Sequence, residues 1–187
     1  MSSFATQFCY MLETLISSKT RVKLLLKFFL NSNAKAHLRG LETEFGESTN
    51  AIRLEINRFE QAGMLKSENI GNKKVFQANT EHPLFNELHN ILRKYVGLDR
   101  VIENVIERLG DVKKVYLTGD FSKGLDSNMI DLILIADDID KVYLLNLVEK
   151  TESLVKRRIR FMVYSIEESK SIDWSKHDPK PLLLWAK

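Results

Sequence analysis

The chain of 187 residues contains a single cysteine and no apolar run long enough to cross a membrane. Cys9 cannot form an internal disulfide and has no Cys or His neighbour at metal-ligand spacing. We therefore expect a small buried apolar side chain there rather than a metal-sensor site. The run at residues 24–30 is interrupted by Lys27 and falls short of the roughly 20 residues that a membrane helix needs. The first residues lack a basic start before an apolar core, so we expect a cytoplasmic protein without a signal peptide.

The composition is that of an ordinary globular protein, with 44% hydrophobic and 28% charged residues. Its length fits one large or two small domains. The net charge of +3 is unevenly distributed. Residues 17–98 contain 13 Lys and Arg against 8 Glu, whereas residues 99–187 contain 15 against 16 acidic residues. The basic first half suits the neutralisation of phosphates, although a mildly basic surface is common.

The first half reads as three helices followed by a hairpin. Apolar residues at helical spacing predict helices that start near Lys19 and cover residues 37–45, and Ser48 is a good cap for a third helix ending at Ala62. Gly63 suits the left-handed position that follows a helix. The inward stripe of the third helix consists of Ile52, Ile56 and Phe59. Two strands follow, at residues 65–69 and 74–78, with turn residues Gly71 and Asn72 between them.

In the second half of the chain the spacing of apolar residues changes from helical to strand-like. Another helix carries the stripe Leu84, Leu88, Ile91 or Leu92, and Tyr95, and we expect Asp99 to cap a further helix. From residue 111 the pattern predicts strand, strand, helix and strand, with the helix at residues 141–155. We expect the apolar end of the tail, residues 182–185, to dock against the fold.

One face of the third helix carries the residue types that read DNA. If its apolar stripe faces the core, the polar residues at spacings of three and four form one exposed surface. Arg can bind guanine, and Asn can bind adenine, through two hydrogen bonds. The helix N-terminus favours a phosphate, and lysines at the hairpin tip could reach the flanking backbone. The predicted contact residues are Ser48, Thr49, Asn50, Arg53, Asn57, Lys73 and Lys74. Each alone could be an ordinary solvated side chain.

Residues 17–79 resemble the winged-helix domains of ArsR- and MarR-like bacterial transcriptional regulators. The segment STNAIRLEINRFEQAGML at residues 48–65 is similar to the recognition-helix pattern of that group. The resemblance implies a winged helix-turn-helix that binds double-stranded DNA. The metal-sensing cysteines of some ArsR-like proteins have no counterpart, so metal regulation is not implied.

The segment YLTGDFSKGLDSNMIDLILIADD at residues 116–138 resembles the minimal type of the nucleotidyltransferase superfamily. That signature has a Gly-Ser pair after a strand, a small-basic-Gly turn, and Asp-x-Asp on the next strand. Here Gly119 and Asp131 match, and residues 122–124 fit the turn. The second metal-binding carboxylate is replaced by Ile133, which cannot hold Mg²⁺, and the Ser position is Asp120. The resemblance implies an inactive, vestigial nucleotide site composed of Gly119, Asp120, Lys123 and Asp131.

A second Asp-x-Asp occurs at Asp138 and Asp140. It follows the apolar strand and directly precedes the helix at residues 141–155. We therefore expect these residues to cap that helix rather than to bind a metal.

Together these patterns predict an α+β protein: a winged-helix domain with a linker helix at residues 1–97 and a nucleotidyltransferase-like α/β domain with a small mixed sheet at residues 98–187. The main hypothesis is a DNA-binding transcriptional regulator without catalytic residues, metal or cofactor, whose second domain holds a small-molecule or protein ligand. We expect a homodimer because most helix-turn-helix proteins bind paired half-sites. The helix at residues 84–95, or residues 4–16, would supply the dimer contact. Packing between the two domains is an equally good account of the apolar stripe at residues 84–95. The alternatives are an active minimal nucleotidyltransferase and a module in which the winged helix binds protein.

Overall fold

The computed structural model describes residues 16–177 and 180–187. It confirms a mixed α+β chain with two small sheets. The chain divides into two compact units. The N-terminal unit comprises residues 16–92 together with Gly124–Asp126, and the C-terminal unit comprises Arg93–Lys123 and the residues from Ser127 onward. Cys9 and most of the N-terminal segment proposed for dimer contact lie outside the described residues.

The N-terminal unit contains helices and one antiparallel sheet. Along the chain its elements are α1 (Lys19–Leu25) with a π-helical continuation (Leu26–Leu30), β1 (Ala36–His37), α2 (Leu38–Phe45), α3 (Thr49–Gln61), β2 (Leu65–Ile70) and β3 (Lys73–Ala78). The sheet order is β1-β3-β2. Helix α4 (Phe85–Val96) follows, and its residues from Arg93 onward belong to the C-terminal unit. The strand β1 is too short for a period-2 pattern, and the sequence did not predict it.

Helix α3 begins, packs and ends for the reasons that its sequence suggests. The Ser48 hydroxyl oxygen accepts a hydrogen bond from the backbone N–H of Ala51 at 3.2 Å, which caps the helix. The stripe Ile52, Ile56 and Phe59 is buried. Gly63, just beyond the helix, has φ +73°, a left-handed conformation that favours glycine. The predicted cap, core face and stop signal of α3 are therefore confirmed.

The C-terminal unit packs helices against a four-stranded mixed sheet. After α4 it contains α5 (Leu98–Val101), a π-helical stretch (Ile102–Ile106), α6 (Glu107–Leu109), β4 (Lys114–Thr118), α7 (Gly119–Lys123), β5 (Met129–Ile135), α8 (Lys141–Val155), β6 (Arg158–Tyr164), α9 (Ile166–Ser171), a 3₁₀ turn (Trp174–Lys176) and β7 (Leu182–Ala186). The sheet order is β6-β5-β4-β7. β5 and β6 are parallel, and the other pairs are antiparallel.

Two aspartates in the C-terminal unit were predicted to cap helices, and one of them does so. Asp140 accepts a hydrogen bond from the N–H of Tyr143 at 3.0 Å and caps α8, as predicted. Asp99 does not cap a helix, because α5 already begins at Leu98 after Gly97, which has φ +94°. Asp99 instead accepts a hydrogen bond from Arg93 Nε at 3.0 Å. The prediction for Asp99 was wrong because the glycine turn places the cap at Gly97, two residues before Asp99.

The tail completes the sheet edge. Strand β7 pairs with β4, so the predicted docking of residues 182–185 takes the form of an added strand. The Trp174 ring stacks on Tyr116 with centroids 5.5 Å apart, and it meets the edge of Tyr164 at 6.3 Å. These aromatic contacts hold the 3₁₀ turn against one face of the sheet. Within residues 16–177 and 180–187, no helix has the length and apolarity needed to span a membrane.

Candidate nucleic-acid interface

The predicted reading face of α3 is exposed along its length. Asn50, Arg53 and Asn57 are exposed and lie opposite the buried stripe. Thr49 is half-buried at the helix start, and the Ser48 hydroxyl is already used by the cap. Of the predicted contacts on α3, the fully exposed ones are therefore the two asparagines and Arg53. Among the described residues, Arg53 makes no salt bridge, so its five N–H donors face solvent.

Three further residues of α3 share this face but were missed from sequence. Leu54, Arg58 and Gln61 are exposed. Leu54 and Arg58 lie four and eight residues after Asn50, and Gln61 lies four residues after Asn57, so simple helical spacing would have found all three. The face is wider than predicted and has an apolar side chain near its middle.

Glu55 departs from the solvent-exposed pattern of charged residues on α3. Its side chain is buried, with the residue only 5% exposed. Arg21 of α1 donates two hydrogen bonds to it, from Nε at 2.9 Å and from Nη2 at 3.2 Å. Arg58 Nη1 donates a third at 3.1 Å. This pairing attaches α3 to α1 and places one guanidinium, that of Arg58, beside the exposed face.

The Glu55 network should make the N-terminal unit sensitive to acid. Burial by itself raises the pKa of Glu55, but the hydrogen bonds and charges of Arg21 and Arg58 outweigh it and hold the pKa below its ordinary value. The stabilisation is therefore complete above the unfolded-state pKa of about 4.3 and is lost as pH falls through the lower folded-state value. We expect Glu55→Gln to cost about 1–3 kcal/mol at pH 7 and less at low pH.

Denaturant unfolding at pH 7 and pH 3 measures both effects. The matched control is Glu87→Gln on α4, an exposed glutamate whose substitution should change stability by less than about 0.5 kcal/mol at either pH. An equal, small effect of the two substitutions at pH 7 would mean that the Arg21–Glu55–Arg58 contacts do not stabilise the unit.

Of the two lysines at the hairpin tip, Lys74 is paired, whereas Lys73 makes no ion pair with any residue that the structure describes. Lys73 pairs in register with Ile70 at the first position after the turn and is exposed. Lys74 Nζ lies 2.8 Å from the Glu60 carboxylate of α3 and 5.2 Å from the centroid of the Phe76 ring. The Lys74 hydrogen bond, followed by that of Ser67, lowers the pKa of Glu60. The predicted role of Lys74 as a free cation at the tip is thus restricted, because its charge already serves to join the hairpin to α3.

The predicted vestigial nucleotide site brings Gly119 and Asp131 together. Asp131 on β5 is 8% exposed, pairs in register with Thr118 of β4, and accepts a hydrogen bond from Arg160 Nε on β6 at 2.6 Å. Gly119 has φ +66°, and a Cβ atom there would lie 2.0 Å from Asp131 Oδ2. The carboxylate thus occupies the space that the missing side chain leaves, and Arg160 neutralises its charge.

The other predicted members of this site are arranged differently. Asp120 is exposed in the first turn of α7, and Lys123 is half-buried at its end. The Ser122 hydroxyl donates to the carbonyl oxygen of Gly119 at 2.9 Å. Ile133, two residues after Asp131, is fully buried. In the part of the chain that the structure describes, no three His, Cys, Asp or Glu side chains are grouped as a metal would need.

Comparison of the chain with protein-family models, curated proteins and solved structures found no match.

Proposed function

We propose that this protein is a cytoplasmic transcriptional regulator that binds double-stranded DNA through a winged helix-turn-helix. The observation that carries the proposal is the exposed face of α3, where Asn50, Arg53 and Asn57 lie opposite a fully buried stripe. These are the side chains that bind adenine and guanine edges through two hydrogen bonds. α3 has 13 residues and is about 20 Å long, sufficient to lie in a major groove about 12 Å wide.

The topology of the N-terminal unit supports the same proposal. Helix, strand, helix, helix and a two-stranded hairpin follow one another, and the three strands form one antiparallel sheet. In a winged helix this order makes the third helix the reader and the hairpin the wing. Lys73 at the hairpin tip would contact a phosphate beside the groove that α3 enters. Arg58 donates from Nη1 to Glu55 but its side chain is 53% exposed, so its other N–H groups would add a second phosphate contact next to the reading face.

A homodimer would double the contact area by binding two half-sites. Helix α4 and the residue before it supply an apolar surface suited to a second copy. Leu84, just ahead of the helix, and Ile91 are exposed, and Leu88 is half-buried between them. Leu92 and Tyr95 on the same helix are buried. The predicted stripe of α4 is therefore split, with an inner part in the core and an outer part available for the dimer contact.

Selection of bound duplexes from a random pool, at about 50 mM salt, tests the DNA-binding proposal. We expect enrichment of one motif, with a symmetric repeat of half-sites about one helical turn apart if the protein is a dimer. An absence of duplex binding even at this low salt would overturn the proposal and favour a winged helix that binds protein.

We propose that the C-terminal unit is an inactive nucleotidyltransferase-like module that holds a small-molecule or protein ligand. Two carboxylates at positions i and i+2 of a strand share one face and can together hold Mg²⁺. Here the second position is the buried Ile133, and the first, Asp131, is paired with Arg160. An ion pair in place of a metal leaves the polyphosphate of a nucleotide without its divalent partner.

Calorimetric titration with ATP and Mg²⁺ tests this second proposal. We expect no Mg²⁺-dependent heat of binding for the unmodified protein. Metal-dependent binding that Asp131→Asn abolishes, and that Asp138→Asn on the same unit leaves unchanged, would support an active transferase instead.

A further inference from the structure

The exposed face of α3 carries one large apolar side chain. Leu54 is 53% exposed. It lies four residues after Asn50, three before Asn57 and four before Arg58, so it belongs to the surface that these polar residues form. A polar side chain would serve a solvated helix face equally well. Leucine at this point is informative because every other exposed residue of α3 is polar or charged.

Leu54 also occupies the middle of the helix. α3 runs from Thr49 to Gln61, so Leu54 has about equal lengths of helix on either side. If α3 enters a major groove, a residue at mid-length on the outer face is pressed against the groove floor. There the isobutyl group would be desolvated, and the base edge that it covers would be desolvated as well.

The groove floor offers one apolar group to such a side chain. Guanine presents two acceptors, cytosine a donor, and adenine an acceptor and a donor, whereas thymine adds a 5-methyl group beside its acceptor. Covering a donor or acceptor with leucine would leave that group without a hydrogen-bond partner, which is unfavourable. Contact with the thymine methyl buries apolar surface on both sides instead.

The neighbours of Leu54 favour the same base pairs. Asn50 and Asn57 carry amides suited to adenine N6 and N7. Each adenine that they bind places a thymine on the opposite strand, so an A·T pair offers the amide its adenine edge and the leucine its methyl group. We propose that Leu54 is a specificity-determining residue that recognises a thymine 5-methyl group at the A·T-rich centre of the half-site; this inference rests on the proposed DNA-binding function.

Deoxyuridine tests the inference because it differs from thymidine only by that methyl group. In the duplex obtained from the pool selection, each thymine is replaced singly by uracil, and Kd is measured by fluorescence anisotropy at one salt concentration. We expect the unmodified protein to lose about fourfold in affinity at one or two central positions, the effect of one buried methyl-sized group. Leu54→Ala should bind the thymine duplex more weakly than the unmodified protein does. It should also bind the thymine and uracil duplexes with the same affinity, because the side chain that contacts the methyl group is gone.

Two further variants separate the methyl contact from general effects. Leu54→Met keeps an apolar side chain of similar reach and should retain sensitivity to uracil. Leu145→Ala removes a comparably exposed leucine, 58% exposed on α8, and should behave as the unmodified protein does. Circular dichroism confirms that the variants are folded.

The outcomes distinguish the two levels of the proposal. Absence of any duplex binding by the unmodified protein overturns the DNA-binding function and this inference with it. Two other outcomes overturn the role of Leu54 alone and leave DNA binding intact. In the first, uracil weakens binding at no central position. In the second, Leu54→Ala loses as much affinity on uracil substitution as the unmodified protein does.

Discussion

Charge reversal at Arg53 is expected to reduce duplex affinity by about 100-fold or more. A guanidinium that binds one guanine through two hydrogen bonds contributes about 1–3 kcal/mol of discrimination. Glutamate at the same position removes those bonds and places a negative charge between two phosphate backbones, so the loss should lie at or beyond the upper end of that range. Arg53 is exposed and makes no salt bridge within the described residues, so Arg53→Glu should leave the fold unchanged.

The measurement is Kd for the selected duplex over a series of salt concentrations. Arg108→Glu on α6 is the matched control, because it makes the same charge change at an exposed arginine of the C-terminal unit. Its effect should be confined to a few-fold change that disappears at high salt. Arg53→Glu should remain weak at every salt concentration, since lost base contacts are not screened. Equal behaviour of the two variants would mean that α3 is not the reading helix.

Substitution of the two hairpin lysines, Lys73 and Lys74, should change the salt dependence of Kd by different amounts in the same experiment. Each phosphate contact contributes about 0.9 to the slope of log K against log salt, so Lys73→Gln should lower the slope by about 1. Lys74→Gln should change it less, because Lys74 is already paired with Glu60. Its main effect should be a small loss of stability, within about 1 kcal/mol for an exposed pair. A larger change in slope for Lys74→Gln than for Lys73→Gln would contradict this ranking.

Local signals made the longer helices, among them α3 and α8, predictable from sequence, whereas the short helices α7 and α9 were not predicted. Ser48 and Asp140 each accept a hydrogen bond from a backbone N–H three residues later, so the cap and the group it satisfies lie within one turn. The buried stripe of α3 depends only on helical period. Elements that depend on distant partners were missed. Strand β1 has two residues and exists because β3 pairs with it, and β7 is a strand because β4 offers a free edge.

The candidate sites follow the same division. The residues of the α3 reading face could be predicted because one helix holds them all. The pairing of Lys74 with Glu60 and of Arg160 with Asp131 could not, since the partners are 14 and 29 residues apart and lie on different elements. Glu55 is an example. From its position in the sequence it would be taken for a solvated glutamate, because its partner Arg21 is 34 residues away.

Replacement of Gly119 by alanine is expected to be the most destabilising single-methyl change in the C-terminal unit. Two causes add. A non-glycine residue at φ +66° costs about 1–2 kcal/mol, and the new Cβ would lie 2.0 Å from Asp131 Oδ2, which adds about 1–3 kcal/mol of overpacking. A total of about 2–5 kcal/mol is a large fraction of the usual 5–15 kcal/mol of stability. Thermal unfolding should show a fall in Tm of roughly 5–20 °C.

Gly71→Ala in the hairpin turn is the matched control for backbone strain. Gly71 has φ +57°, close to that of Gly119, but a Cβ there would meet nothing within 4 Å. Its cost should therefore be limited to about 1–2 kcal/mol. The difference in destabilisation between the two alanine variants therefore measures the clash with the Asp131 carboxylate separately from the backbone strain of a left-handed conformation.

A double-mutant cycle ties this clash to the candidate site. In an Asp131→Ala background the carboxylate is gone, so Gly119→Ala should cost at least about 1 kcal/mol less than it does beside the native aspartate. Arg160 is 70% exposed and stays hydrated when its partner is removed, so Asp131→Ala should not unfold the unit. Equal costs in both backgrounds would mean that the carboxylate can turn away from Gly119 and is free to meet a cation. A reduced cost would mean that Asp131 is held between Gly119 and Arg160, where its charge is already used, and that the glycine serves packing rather than a phosphate.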